Sequence, residues 1–372
     1  MAFSPSLQGV SAAPLHQHPV LGHDLGRVEA ALRAAVVTDD EFLTEVASHL
    51  IVAGGKRVRP LFSVASSAVT AQRLGPATEA AVLGGVSVEL VHIGSLYHDD
   101  VMDEAETRRT VQSVNARWGN LRAILAGDFL LAKASEIAAS LGTEVAGLLA
   151  STIAQLCEGQ VRELQAMFDP GRTEDAYLAS ISGKTASLFA AACRIGGIVA
   201  DLDRSEIDAV TEFGRAYGMA FQIVDDILDV TATDEQLGKP AGNDLVEGVY
   251  TLPVIRSLAL DGGDELRELL TRPIPVANTA EALAFAAATG DAPVFDGELD
   301  LTPLDAASVE RILQIVRTNG GVDSALEAAR AQVAAAAAAL APFDGSDAAA
   351  ALVSGAEHLL ESVEAIAVRH RG

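Results

Sequence analysis

The chain has 372 residues, with 51 Asp and Glu against 26 Lys and Arg, which gives a net charge of −25. This balance excludes a general nucleic-acid binder, because phosphate backbones are held by clustered Lys and Arg. Apolar residues make up 49% of the chain but aromatic residues only 4%, and this composition favours helices over strands.

Residues 1–22 mix Ser, Pro, His and Gly, and they have neither the basic nor the apolar region of a signal peptide. We expect a flexible tail here, followed by one all-α domain over residues 23–372. No window of about 18 uninterrupted apolar residues is present, so no membrane span is predicted. With only Cys157 and Cys193 there is no disulfide framework, and we expect a cytoplasmic protein.

Helical periodicity starts near Leu25 and continues through most of the chain. The predicted helices cover residues 77–102, 120–140, 143–166, 173–200, 205–231 and 252–271. Residues 272–305 are rich in Pro, Gly and acidic residues, which predicts a long loop or flap. The alanine-rich run 325–341 predicts a smooth, closely packed helix.

The sharpest local pattern is HDDVMD at residues 98–103, at the end of a predicted helix. At about 100° per residue, Asp99 and Asp103 share one helix face, and Asp100 lies about 100° from Asp99. Three carboxylates this close repel one another unless positive charge lies between them, and they also meet the negative end of the helix dipole. The motif alone is consistent with either a solvated helix end or a metal site.

A second acidic cluster favours the metal site. Asp225, Asp226 and Asp229 repeat the DDxxD spacing near the end of another apolar helix, with Gln222 on the same polar face. Solvation does not explain two copies of such an unfavourable arrangement. If the motifs face each other, their oxygens can hold Mg²⁺ together with a phosphate-bearing substrate.

Basic residues complement the acidic motifs. Lys56, Arg57 and Arg59 follow two glycines in the segment GGKRVRP, where small residues allow close backbone approach and the cations can bind a diphosphate. The polar stretch before Arg108 and Arg109 predicts a loop that returns both arginines towards bound phosphate.

Together these residues resemble the trans-isoprenyl diphosphate synthase family, of the polyprenyl synthase type. The matching segments, in the family's order, are GGKRVRP at 54–60, ELVHIGSLYHDDVMD at 89–103 with the following arginine pair, GKTASL at 183–188, FQIVDDILD at 221–229, and GKPAGNDLVEG with TLP between 238 and 253. The resemblance implies an all-α bundle around a deep central cavity, and a homodimer. It also implies a Mg²⁺-dependent transferase that condenses isopentenyl diphosphate with an allylic diphosphate.

The same resemblance implies roles for individual residues. Isopentenyl diphosphate would be bound by Lys56, Arg59, His92 and Arg109. Mg²⁺ on the allylic diphosphate would be held by Asp99, Asp103 and Asp225, assisted by Asp100, Asp226 and Asp229. The allylic diphosphate itself would contact Arg108, Lys184, Thr185, Gln222 and Lys239. The residues nearest the chemistry would be Asp99, Asp103, Arg108, Arg109, Lys184 and Asp225. In one departure, Val249 stands where many relatives have Lys, which leaves more of the allylic contact to Lys239.

Product length depends on the helix that ends in the first motif, because the growing chain is expected to run beneath Asp99. The side chains along that path are Ser87, Val91, Gly94 and Ser95. None of them is aromatic, so the sequence predicts a product longer than C20. A bulky side chain from a neighbouring helix, such as Phe129 or Phe189, would instead close the path and give a geranylgeranyl (C20) diphosphate synthase.

Three other functions are weighed against this one. A terpene cyclase shares the first motif but normally has an Asn/Ser/Glu pattern in place of the second. A non-catalytic subunit of a two-component synthase typically lacks intact aspartate motifs, and stand-alone turnover would distinguish it. An acidic cation-binding protein would bind metal whether or not a diphosphate is present.

Overall fold

The computed structural model describes residues 13–232, 241–271 and 304–367. Within these ranges the protein is helical apart from one two-stranded hairpin, which confirms the predicted all-α class. The helices are α1 (Ala13–Gln17), α2 (Pro19–Ala35), α3 (Glu41–Val52), α4 (Val58–Ser66), α5 (Glu79–Met102), α6 (Val114–Trp118), α7 (Asn120–Ser140), α8 (Thr143–Gln165), α9 (Glu174–Ile181), α10 (Ser187–Val199), α11 (Arg204–Thr231), α12 (Asn243–Val246), α13 (Leu252–Ser257), α14 (Gly263–Leu270), α15 (Ala306–Thr318), α16 (Gly321–Ala339) and α17 (Asp347–Ala367). A π-helical turn (Ser182–Ala186) joins α9 to α10, and a 3₁₀ turn (Ala341–Phe343) follows α16. The strands β1 (Thr107–Arg108) and β2 (Val111–Gln112) pair antiparallel, with Arg108 opposite Val111.

The long helices α5 and α11 contain the acidic motifs, and side-chain caps fix where each begins. The Thr78 hydroxyl accepts a hydrogen bond from Ala81 N at 3.2 Å and caps α5. Asp203 and Glu206 form a capping box at the start of α11. Both motifs lie at the C-terminal ends of their helices, where the helix dipole disfavours carboxylates.

The core is built from helices packed along their lengths. α5 packs against α7, while α11 packs against α10 and α16. The alanine-rich helix predicted over 325–341 is present as α16. Its Ala325, Ala329 and Ala336 are fully buried, which lets α16 approach α11 closely.

By length and composition alone, α5 is apolar enough to span a bilayer. However, 72% of its most apolar window is buried inside the protein, which is typical of a core helix. No other helix in the described ranges meets the same length and composition criteria.

The N-terminal segment differs from its prediction as a flexible tail. Residues 13–17 form α1, α2 begins at Pro19, and both Leu15 and Leu21 are fully buried. α1 packs against α17, from the other end of the chain. Because this contact is made only in three dimensions, helical periodicity, which begins near Leu25, does not reveal it.

Two predicted helices are interrupted. The helix predicted over 173–200 contains the π-turn, and the one predicted over 252–271 divides into α13 and α14. Gly262 separates this second pair with a φ of +81°. The flap predicted over 272–305 lies outside the described residues except for its last two positions, and Lys239 lies outside them as well.

Candidate active site

A cavity of about 900 Å³ lies among α3, α5, the loop before α4 and the β1–β2 hairpin. Its wall is basic, and it includes Lys56, Arg59, His92 and Arg109. The four residues predicted to bind isopentenyl diphosphate therefore surround one space. Asp225, from the second acidic motif, lines the cavity as well.

The loop before α4 has an unusual backbone conformation and little free space around it. Gly54 has a φ of +92° and Arg57 a φ of +47°. A Cβ at Gly55 would lie 2.7 Å from Arg57 Nη1 and 2.9 Å from Arg109 Cζ. The absence of a side chain at Gly55 thus makes room for two guanidinium groups. The sequence pattern instead predicts that this glycine allows close approach of the backbone.

Lys56 of the loop and Arg59, in the first turn of α4, both line the cavity. The Arg59 guanidinium lies 4.3 Å from the centroid of the Phe189 ring, a cation–π contact. Phe189 belongs to an aromatic cluster in which the Phe62 and Tyr217 ring centroids are 4.5 Å apart. Burial lowers the pKa of Lys56, and it lowers the pKa of Arg59 to about 10, so Arg59 remains a cation at neutral pH.

The hairpin turns the arginine pair back towards the helices, as the predicted loop does. Arg109 and Thr110 form its two-residue turn, with φ of +53° and +65°. Positive φ at both positions matches the twist of the flanking strands. From this turn Arg109 Nη1 donates to Leu50 O at 2.9 Å and also to Gly54 O, so the side chain joins the hairpin to the loop before α4.

His92 faces these cations from α5. Burial, together with the positive charges of Arg59 and Arg109, lowers the pKa of His92 well below its usual value. The imidazole is therefore neutral at physiological pH and offers one N–H donor and one nitrogen acceptor. A diphosphate bound here would accept a hydrogen bond from the neutral imidazole of His92. The basic side chains of the cavity would compensate the negative charge of the diphosphate.

The first acidic motif places its members in three environments. Asp99 is half-buried, Asp100 fully buried and Asp103 exposed. Burial raises the pKa of Asp99 to about 6, and Lys184 opposes this shift. Asp100 Oδ1 accepts a hydrogen bond from Arg108 Nε at 2.6 Å, while its Oδ2 has no partner in the part of the chain that the structure describes. Asp99 and Asp103 are the members accessible to a ligand.

Lys184 and Thr185 lie in the π-turn, a helical irregularity that is frequent at functional sites. α8 passes so close to this turn that a Cβ at Gly159 would lie 2.3 Å from Lys184 N. Lys184 Nζ donates to Glu163 Oε1 at 2.5 Å. Burial acts to lower the pKa of Lys184, but the negative charges of Glu163 and Asp99 outweigh it and raise the pKa. A fixed positive charge therefore lies beside the first motif.

In the second motif, Asp226 is 2% exposed and both of its oxygens accept hydrogen bonds. Oδ2 accepts from the Tyr177 hydroxyl at 2.5 Å, and Oδ1 accepts from Gln222 Nε2 at 2.8 Å. Gln222 Oε1 in turn accepts from Thr185 Oγ1 at 2.8 Å. Asp226, predicted to assist in metal binding, thus holds Gln222 and Thr185 in place, while Asp225 is exposed.

The donor set fits a hard divalent cation. Asp99, Asp103 and Asp225 offer accessible carboxylate oxygens, the ligands that Mg²⁺ and Ca²⁺ prefer. Asp229 is buried, and its Oδ2 accepts a hydrogen bond from Asp244 N at 3.3 Å. Across residues 13–232, 241–271 and 304–367, no three His, Cys, Asp or Glu side chains converge into a complete site by themselves. A cation that arrives with a diphosphate would bring both the missing charge and the missing oxygen ligands.

Comparison with known proteins identifies the family. The protein-family model for polyprenyl synthetase matches residues 40–284 of the chain. The chain belongs to this family. It is 42% identical to the nonaprenyl diphosphate synthase of Mycobacterium tuberculosis over 252 residues, which are 67% of this chain and 74% of that relative. The family predicted from the motifs is confirmed.

Solved structures agree with this assignment. The fold is similar to a decaprenyl diphosphate synthase from Rhodobacter capsulatus, with a TM-score of 0.79, 31% identity, and coverage of 95% of this chain and 99% of that one. It is also similar to a polyprenyl synthase from Caulobacter crescentus CB15 complexed with calcium and isoprenyl diphosphate. That match has a TM-score of 0.77, 30% identity, and coverage of 94% of this chain and 97% of that one.

The residues expected along the elongation path of this polyprenyl synthetase do not line the cavity described above. Ser87 and Val91 are fully buried, and the Ser87 hydroxyl donates to a backbone carbonyl three residues earlier. A Cβ at Gly94 would lie 3.1 Å from Gly127 O of α7, so Gly94 faces a neighbouring helix at close range. Ser95 is half-buried and is the least buried of the four.

Arg57, one of the three cations of GGKRVRP, forms ion pairs with Glu29 and Glu89. Three further residues that shape the site have no role assigned from the sequence: Glu89, Glu163 and Tyr177. Glu89 lies inside the matched segment ELVHIGSLYHDDVMD, so its position in the motif is an available signal. Tyr177 precedes Lys184 by seven residues, about two helical turns, which also places it near the same face. Glu163 makes its contact from a different helix, and local spacing does not reveal such a contact.

Proposed function

We propose that this polyprenyl synthetase joins isopentenyl diphosphate to an allylic diphosphate, and repeats the step to give a trans-polyprenyl diphosphate longer than C20. The supporting observation is that one cavity brings Lys56, Arg59 and His92 together with Asp225 of the second acidic motif. Basic side chains suit an anionic diphosphate, and the adjacent carboxylates suit a metal-bound one. The nonaprenyl and decaprenyl synthases among the relatives support the long product.

Isopentenyl diphosphate would lie in the basic cavity. Lys56 and Arg59 would bind its diphosphate, with a further hydrogen bond from the neutral His92. Phe189 and Phe221 line the same cavity and give its hydrocarbon end an apolar wall. We expect these two rings to contact the carbon chain of isopentenyl diphosphate beyond its diphosphate.

The allylic diphosphate would lie beside Arg108, Lys184 and Thr185. Its Mg²⁺ would be held by Asp99, Asp103 and Asp225. When bound, Mg²⁺ offsets the negative charge that develops on the leaving diphosphate. The chain adds two oriented cations, because Glu163 holds the Lys184 ammonium and Asp100 holds the Arg108 guanidinium. Cations fixed before the reaction stabilise developing charge without reorganising.

The condensation breaks one allylic C–O bond and forms one C–C bond. The electron pair of the isopentenyl double bond attacks the allylic carbon that has lost diphosphate. The proton released from the isopentenyl unit passes to the departed diphosphate, which lies next to the new bond. The protein therefore supplies charge, orientation and an apolar wall that excludes water from a reactive cation.

A homodimer is proposed from the surface. Leu121, Ile124 and Leu125 of α7 are exposed, as are Val161 and Leu164 of α8. Adjacent apolar side chains on neighbouring helices suit association with a second copy. Light scattering after size exclusion should give about twice the 38.4 kDa chain mass, and a monomer at all working concentrations would contradict the proposal.

A cytoplasmic location is proposed from the cysteines. Cys157 and Cys193 are free thiols, and Cys157 is exposed. An exposed free thiol is stable in a reducing compartment. Cell fractionation checks this, and recovery of the protein outside the cytoplasm would contradict it.

Product analysis tests the proposed reaction. The purified chain is incubated with labelled isopentenyl diphosphate, Mg²⁺ and C10, C15 or C20 primers, and products are sized after dephosphorylation. We expect products longer than C20, loss of turnover in Asp103→Asn, and normal turnover in the control Asp175→Asn, which changes an exposed carboxylate on α9. Products that stop at C20 would identify a geranylgeranyl diphosphate synthase. Turnover only after a second protein is added would identify a subunit of a two-component synthase.

A further inference from the structure

A buried ion network of Arg57, Glu89 and Arg109 forms part of the wall of the isopentenyl diphosphate cavity, and the chemistry above gives Glu89 no role. Glu89 of α5 is 2% exposed, and its Oε1 accepts a hydrogen bond from Arg57 Nη1 at 2.9 Å. The same oxygen lies 3.8 Å from Arg109 Nη2. A second anion, Glu29, pairs with Arg57 through Nε at 2.5 Å and in the described structure makes no ion pair with Arg109. Glu89 is therefore the anion that the two arginines share.

Both arginines also hold the backbone that leads into the basic loop. Arg57 Nη2 donates to Ile51 O at 3.0 Å, and Arg109 Nη1 donates to Leu50 O at 2.9 Å. The carbonyl oxygen of Gly54 accepts from both guanidinium groups. These carbonyls belong to the end of α3 and to the turn after it. A continuous set of contacts thus runs from the Glu89 carboxylate, through two side chains, to the loop.

The charge of Glu89 acts against substrate binding if it is considered alone. A negative charge beside a diphosphate site repels the ligand, so its removal should tighten binding by Coulomb's law. In the other direction, buried guanidinium groups without a partner lose both their charge compensation and their orientation. These two effects predict opposite changes in affinity, which makes the role of Glu89 measurable.

We propose that Glu89 is a positioning residue for isopentenyl diphosphate, which fixes Arg57 and Arg109 so that the loop and the first turn of α4 present Lys56 and Arg59 to the substrate. This inference rests on the proposed function. Arg59 Nε lies in the cavity wall without a hydrogen-bond partner in the ranges described, so it is a donor whose direction matters to a ligand. Glu89 itself acts only through the residues it holds.

The test is Glu89→Gln, which keeps the side-chain shape and removes the charge. We expect the KM for isopentenyl diphosphate, and its Kd from isothermal titration, to rise about tenfold, with kcat and the allylic KM within about twofold. The matched control is Glu29→Gln, which breaks the other Arg57 ion pair and leaves Arg109 untouched. Its KM for isopentenyl diphosphate should change less than about threefold.

Several results would overturn the proposal. A lower KM for isopentenyl diphosphate in Glu89→Gln would show that Glu89 contributes charge and not position, and an unchanged KM would show that Glu89 does not position the cations. Equal losses for both substrates would show a general structural role. If Glu89→Gln does not fold, Glu89→Asp replaces it, since it keeps the charge on a shorter side chain; the same selective rise is expected, and its absence overturns the proposal. Wild-type protein that binds isopentenyl diphosphate without turnover would refute the proposed function separately.

Discussion

Replacing Asp99 by Asn should stabilise the metal-free protein while it abolishes turnover. Burial raises the pKa of Asp99 from 3.8 to about 6. The folded protein therefore holds the proton more tightly than the unfolded chain does. The resulting stabilisation is fully present below pH 3.8, declines as the pH rises towards about 6, and is absent above that pH, where the ionised carboxylate destabilises the fold.

The magnitude follows from the same two values. The difference between about 6 and 3.8 corresponds to about 3 kcal/mol, since one pH unit is worth about 1.36 kcal/mol at 25 °C. Asp99 is half-buried, so water screens part of this penalty. We expect Asp99→Asn to raise the free energy of unfolding by about 1–3 kcal/mol at about pH 7.5.

Urea unfolding of both proteins in the presence of EDTA measures this difference. The gain should shrink as the pH is lowered from about 7.5 towards 4.5, because the wild-type carboxyl becomes protonated in the folded state. Mg²⁺ with inorganic diphosphate should then stabilise the wild type more than the variant and reduce or reverse the order. Asp175→Asn, at an exposed position, should match the wild type throughout.

A variant that is equal to or less stable than the wild type in EDTA at about pH 7.5 would refute the reasoning, because the buried charge would then carry no penalty. A gain of the same size at about pH 4.5 would refute it as well, since the effect would not depend on ionisation.

Three further substitutions test other parts of the site. Tyr177→Phe removes the hydroxyl that donates to Asp226, and it should lower the free energy of unfolding in urea by about 1–3 kcal/mol and reduce kcat more than KM; unchanged kcat would contradict a positioning role. Gly55→Ala should raise the KM for isopentenyl diphosphate about tenfold, because the new Cβ would lie 2.7 Å from Arg57 Nη1 and displace that side chain. Gly26→Ala should leave this KM unchanged, because its Cβ would have no atom within 4 Å. Ser95→Phe should shorten the product in chromatography after dephosphorylation, and an unchanged length would place the elongation path elsewhere.

Strong local patterns predicted the helices well. The predicted helix over residues 120–140 coincides with α7, and those over 77–102 and 205–231 begin within two residues of α5 and α11. In these segments apolar residues recur at helical spacing over many residues, or a capping residue marks the helix start, so the local sequence specifies the helix. The α1 segment and the π-turn were not predicted, because the first depends on docking against α17 and the second on the close approach of α8.

The sequence predicted which residues form the candidate site, but it did not predict how buried each one is or which partners it has. The spacing of Asp99 and Asp103, and the repeat of that spacing in α11, predicted a cation site because carboxylates this close require positive charge. The same spacing does not distinguish Asp225, which is exposed, from Asp226, which is buried against Tyr177. That distinction depends on which face of α11 meets α9.

The sequence by itself determined the helical class, the two acidic motifs and the basic residues that complement them, because residue type and spacing along a helix are local properties. Tertiary structure alone decided which of these side chains are held and which can meet a ligand. Glu89 and Arg57 are 32 residues apart in sequence, and Tyr177 and Asp226 are 49 apart. Burial and hydrogen bonding across such separations exist only once the helices have packed, and they determine the charge and orientation that each residue brings to the site.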